Sequence, residues 1–154
     1  MSRRLLAAAA ATLALLVGAA GCSDTAEDTA QDTLSVTAGP TASAAPEVGA
    51  SLSPADFAAA AQLPDTVVLD VRTPEEYAEG HLEGAVLIDL QDPSRFEAEV
   101  AELDPGRSYA VYCRSGSRSA VAMDYLAQVG FSSYFDLGGG IGAWEDAGGV
   151  VVTD

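Results

Sequence analysis

Chemistry is concentrated in seven consecutive residues, Cys113-Arg114-Ser115-Gly116-Ser117-Arg118-Ser119, which bring together one thiol, two guanidinium groups, a glycine and three hydroxyls. A thiol reacts as its thiolate, and neighbouring arginines and helix N–H groups lower its pKa from about 8.5. The flanking sequence supplies such a setting. Residues 108–112 read as a strand, and a helical pattern begins near Ser119. Ligands of open α/β sheets bind beyond the carboxyl ends of strands, and here that edge meets a helix N-terminus. Unpaired N–H groups and the positive end of the helix dipole favour an anion at that point. Gly116 and the small serines let the backbone curl with its N–H groups facing inward, as an anion nest requires. Cys113 is therefore the candidate nucleophile, with residues 114–119 as the loop that binds the anionic substrate or product.

Strands and helices alternate around this loop. Ser53-Pro54-Ala55-Asp56 reads as cap, first-turn proline and capping-box-like acid, opening a helix to about residue 62. A strand follows over 67–71. Thr73-Pro74-Glu75-Glu76 repeats the cap logic, with glutamate at the third helical position, and Gly80 stops a short helix. Residues 85–90 form a strand, 94–103 a helix after Asp92-Pro93, and 108–112 a strand. The helix over 119–129 places Val121, Ala122, Tyr125, Leu126 and Val129 on one face, and Gly130 ends it. A strand over 133–137, a short helix over 141–147 and a strand over 150–152 complete the pattern. Such alternation predicts a parallel, helix-covered α/β sheet of about 100 residues.

The remaining sequence bounds the setting. The chain has 154 residues, 23 acidic against 7 basic side chains and a net charge of −16, which excludes nucleic-acid binding through a general basic surface. One histidine, His81, and two cysteines, Cys22 and Cys113, are too few for a structural zinc site or a disulfide framework; no metal or cofactor is expected. Residues 1–21 hold Arg3-Arg4, a 13-residue apolar run over 5–17 and small residues before Cys22, the pattern of a secretory signal. As a helix that run rises about 20 Å, against a hydrocarbon core of about 30 Å, so it is short for a permanent span. Ala19-Ala20-Gly21-Cys22 resembles the bacterial lipobox, with alanine where leucine is usual, which implies lipidation of Cys22. Residues 22–48, rich in Ser, Thr, Ala and acids, are expected to form a disordered tether. The folded part would then stand outside the cytoplasm, held to the membrane by lipid alone. With Cys22 a thioether, Cys113 has no disulfide partner within the chain.

From residue 49 to 154 the sequence resembles the rhodanese family of sulfurtransferases. Four motifs carry the resemblance in order. They are Leu69-Asp70-Val71-Arg72-Thr73-Pro74-Glu75-Glu76-Tyr77, Gly80-His81-Leu82-Glu83-Gly84-Ala85, the loop over 113–119, and Leu137-Gly138-Gly139-Gly140-Ile141-Gly142-Ala143-Trp144. Glu83 stands where proline is usual. The resemblance implies a single domain, with a central parallel sheet of about five strands and helices on both faces. The family's sulfurtransferases separate cysteine and arginine by four residues, as Cys113 and Arg118 are here, whereas its phosphatases have one residue more.

The implied reaction is covalent. Cys113 takes sulfane sulfur from thiosulfate or a persulfide donor, and a thiol or cyanide acceptor removes it. By the same resemblance the loop N–H groups stabilise the persulfide, Arg114 contacts an anionic donor and Arg118 braces the loop. Asp70 and Arg72 admit two readings, a structural ion pair or part of the site's rim. His81 falls in a structural turn of the family and is not read as a base. Residues 138–143 formally match a dinucleotide fingerprint, but no second strand with a ribose-binding acid follows. A rhodanese-like module used for redox sensing or partner docking, without turnover, is the alternative.

Overall fold

The computed structural model describes residues 33–153, all within the compact unit Gln31–Asp154. The signal over 1–21, Cys22 and the tether as far as residue 32 lie outside the described residues.

Five parallel strands form the sheet among the described residues. They are β1 (Ala50–Leu52), β2 (Thr66–Asp70), β3 (Val86–Leu87), β4 (Ser108–Tyr112) and β5 (Tyr134–Leu137), in the spatial order β1-β5-β4-β2-β3. The helices are α1 (Pro54–Ala61), α2 (Pro74–Glu79), α3 (Pro93–Ala101), α4 (Ser117–Gln128) and α5 (Gly140–Asp146). Local chemistry sets their starts. Ser53 accepts the Asp56 N–H, Thr73 and Glu76 form a complete capping box, and Asp92 accepts the Arg95 N–H, each with proline next in line.

Alternation along the strands divides the core between two faces. On one, Phe57 of α1 and Trp144 of α5 pack with Phe135 and Leu137; Phe57 meets Phe135 and Trp144 edge-on, with ring centroids 5.7 and 6.4 Å apart. On the other, Phe96 and Val100 of α3 join Ala122, Met123 and Leu126 of α4 over Leu69, Val111 and Cys113. Helices thus cover both faces, as the alternating pattern requires.

Several sequence expectations change. Residues 150–152 do not form a strand: Val152 makes one antiparallel bridge with His81, and the Val150 N–H bonds to the Leu34 carbonyl. The fifth strand is β1, three residues too short to show periodicity, held by its register against β5. The strand expected over 85–90 shrinks to two residues. The buried face of α4 carries Ser119, Ala122, Met123 and Leu126, whereas Val121 is 56% exposed and Val129 is also exposed. Part of the stretch 33–48, expected within the disordered tether, lies against the domain between Leu34 and Ala42. Val36 is buried, Leu34 and Ala42 pack beside it, and Gln62 donates to the Pro40 carbonyl. Thr37 donates to Glu83 at 2.6 Å, so the residue that replaces the usual proline receives a partner from this arm.

Candidate active site

Cys113 follows directly on β4, and α4 begins four residues later. The cap position of α4 is Gly116, in the left-handed region at φ 95°, and no side chain caps this helix. The sulfur takes that place: the Gly116 N–H donates to Cys113 Sγ at 3.1 Å. Burial pushes the thiol pKa up, but the N–H groups of Ser119, Ser115, Gly116 and Arg118 together outweigh burial and bring it below its ordinary value. A helix N-terminus without a side-chain cap and the Cys113 sulfur thus satisfy each other.

The loop is held from behind by α5. The Ile141 N–H bonds to the Cys113 carbonyl at 2.9 Å and the Gly142 N–H to the Arg114 carbonyl at 3.3 Å. Carbonyls tied back in this way leave the N–H groups facing the sulfur. Gly140, at φ 64°, lies so close to the backbone of Cys113 and Arg114 that no Cβ fits. Gly140 therefore carries the loop, which gives this glycine run a packing role. Gly149, not this run, makes the close contact beneath the Trp144 ring.

Arg118 does not point at the sulfur. It clamps Glu76 through two bonds of 2.6 and 2.7 Å, and the carboxyl pKa of Glu76 falls to about 2, chiefly through those bonds. Glu76 also closes the capping box of α2, accepting the Thr73 N–H at 3.2 Å. One carboxylate thereby joins α2 to Arg118 in the first turn of α4.

Asp70 and Arg72 form a buried ion pair with contacts of 2.6 to 3.0 Å, and Arg72 donates a further bond to the Gly80 carbonyl. The Arg72 guanidinium lies 5.4 Å from the Tyr112 ring centroid, and burial together with the Asp70 charge pushes the Tyr112 phenol up. Asp70 is thus held in a buried ion pair, and Arg72 also reaches the wall of the cavity. His81 is buried, stacked on Tyr77 at 3.7 Å, with Nδ1 3.0 Å from the Tyr77 carbonyl, in keeping with a structural turn.

A cavity of about 490 Å³ opens beside the loop. Arg114 and Ser115 contribute to its wall with Arg72, Gly80 and the N-terminal half of α5. Cys113 itself is 1% exposed. Four acids, Glu76, Glu79, Glu145 and Asp146, line the same cavity. Among the described residues Arg114 has no ion-pair partner, whereas Arg72 and Arg118 are neutralised by Asp70 and Glu76. Ser117 is exposed at the first turn of α4, and Ser119 is fully buried with its hydroxyl 2.6 Å from Asp136.

A family model for the rhodanese-like domain matches residues 53–147, which is more than half of the chain. The chain belongs to the rhodanese-like family. Among its relatives, a sulfurtransferase of Allochromatium vinosum is 35% identical over 89 residues, covering 58% of this chain and 80% of that protein. A tRNA uridine(34) hydroxylase of Cytophaga hutchinsonii is 37% identical over 95 residues, 60% of this chain. This chain spans only 30% of that enzyme's length. The crystal structure of a rhodanese-related protein from Thermoplasma volcanium superposes with a TM-score of 0.61 and 32% identity, covering 68% of this chain and 99% of that one. Within this rhodanese-like domain, the residues around the loop that sequence reasoning missed are Glu76, as the partner of Arg118, and Asp136, as the partner of Ser119. Asp136 had a signal: a lone carboxylate between Phe135 and Leu137, at the same sheet edge as Cys113.

Proposed function

We propose that this chain is an exported, membrane-tethered sulfurtransferase that moves sulfane sulfur from a small donor to a thiol or cyanide through a Cys113 persulfide. The observation that carries this reading is the sulfur of Cys113 seated at the uncapped N-terminus of α4, its pKa lowered by four loop N–H groups. The thiolate attacks the outer sulfur of thiosulfate, the S–S bond breaks, and sulfite leaves with the bonding pair. The loop N–H groups then stabilise the persulfide. Arg114, beside the cavity and unpaired among the described residues, is the group available to an anionic donor. An acceptor thiolate removes the outer sulfur and returns the Cys113 thiolate. The net charge of −16 opposes a tRNA substrate, so the activity named for the longer relatives is not carried over.

Treatment of the chain with thiosulfate should add one sulfur atom to Cys113 by mass spectrometry, lost again on adding cyanide and never formed by Cys113→Ser. No adduct on a thiol that still alkylates would instead favour a sensing or docking module. Export and tethering rest on residues 1–22. Fatty-acid labelling that disappears in Cys22→Ala checks the anchor, and among the described residues no helix is long and apolar enough to cross a membrane.

A further inference from the structure

Behind the nucleophile lies a buried acid that the reaction above does not use. Asp136 sits on β5, between Phe135 and Leu137, which face α1 and α5; its own side chain therefore points to the opposite side, under α4. Its Oδ2 is 2.6 Å from the Ser119 hydroxyl, and its Oδ1 is buried with no hydrogen-bond partner among the described residues. Ser119 Oγ is in turn 3.9 Å from Cys113 Sγ, in the direction of a bond donated by the thiol. Gly116 O, 2.9 Å from the same hydroxyl, already accepts the Ala120 N–H and does not need its proton. Thiol, hydroxyl and carboxylate thus form a continuous line of donors and acceptors.

We propose that Asp136 takes up the Cys113 proton through the Ser119 hydroxyl and holds it while the sulfur is an anion or a persulfide. The Sγ–H bond breaks as Ser119 gains that proton, and the Ser119 O–H bond breaks as Oδ2 of Asp136 gains the next. One negative charge moves from a carboxylate with an unsatisfied oxygen to a sulfur ringed by N–H groups. No electrons are exchanged. When the acceptor has removed the outer sulfur, the same two protons can step back. Asp136 acts through Ser119 and is a positioning residue for the proton, not a group that touches substrate.

Few other charges bear on Asp136. On α4 the charged residues are Arg118, committed to Glu76, and Asp124, which is exposed. β4 contributes the Cys113 thiol, and the β5 neighbours in register, Ser51 of β1 and Val111 of β4, are uncharged.

This inference rests on Cys113 being the nucleophile, but its test needs no sulfur donor, so it can fail or stand apart from the sulfur-transfer reading. Infrared spectra of the whole chain at neutral pH should show a protonated-carboxyl C=O band. That band should vanish in Asp136→Asn, in Cys113→Ser, whose hydroxyl keeps its proton, and in Ser119→Ala, where a thiol S–H stretch should return. A wild-type spectrum with an S–H stretch and no carboxyl band would overturn the proposal. So would a carboxyl band that survives in Cys113→Ser, because the proton would then not come from the thiol. If the chain does form a persulfide, Asp136→Asn should slow that step about a hundredfold or more without changing donor KM. Adding Ser119→Ala should cost little more, since both act on one proton path.

Discussion

Gly140 stands where any side chain would collide with the backbone of Cys113 and Arg114. An added Cβ would collide with the Cys113 carbonyl oxygen, at a φ of 64° that L residues rarely adopt. Backbone cannot swing aside as a side chain can. Gly140→Ala should therefore lower stability by at least about 2 kcal/mol, read from a denaturant midpoint, and abolish persulfide formation as well. Gly149→Ala makes the informative contrast, since its Cβ would meet the Trp144 ring. It should destabilise comparably while leaving sulfur loading by the folded fraction near the wild-type rate. Equal loss of loading in both variants would show that the contact between Gly140 and the loop has no special role.

Glu76 shows how one residue can join two elements. It completes the N-terminus of α2 and grips Arg118 in the first turn of α4, and its pKa drops from 4.5 to about 2. A carboxylate whose folded pKa is depressed contributes stability that is full above its unfolded pKa and is lost as pH falls through the folded one. The window is thus pH 4.5 down to about 2. Thermal melts of the wild type should fall through that window by an increment that Glu76→Gln lacks. At neutral pH the variant should be less stable by about 1 kcal/mol, as expected for a partly exposed pair. Parallel pH dependence in both proteins would mean that the pair contributes nothing.

At the scale of the whole molecule, charge opposes the simplest donor. Loss of residues 1–21 takes two of the seven arginines and no acid, leaving 5 basic against 23 acidic side chains. The cavity repeats this balance, with Glu79, Glu145 and Asp146 lining it beside Arg114. Added salt should raise kcat/KM for thiosulfate by screening the negative field, and Glu145→Gln with Asp146→Asn should raise it several-fold at low salt. A flat or falling salt profile would contradict this. From the residue order alone came the seven-residue loop between a strand and a helix, two capped helices and the alternation that specifies a parallel sheet. Each of these is written in local chemistry: a cap, a proline, a glycine stop, a thiol after a strand. The sequence could not show that Leu34, Val36 and Ala42 pack on the domain, that three-residue β1 rather than residues 150–152 is the fifth strand, or that Gly140 abuts the loop. Nor could it pair Arg118 with Glu76, 42 positions away, or bring Asp136 to Ser119 across 17. Those contacts join residues with no shared local pattern, and only parallel strands meeting at one edge place them within a hydrogen bond of each other.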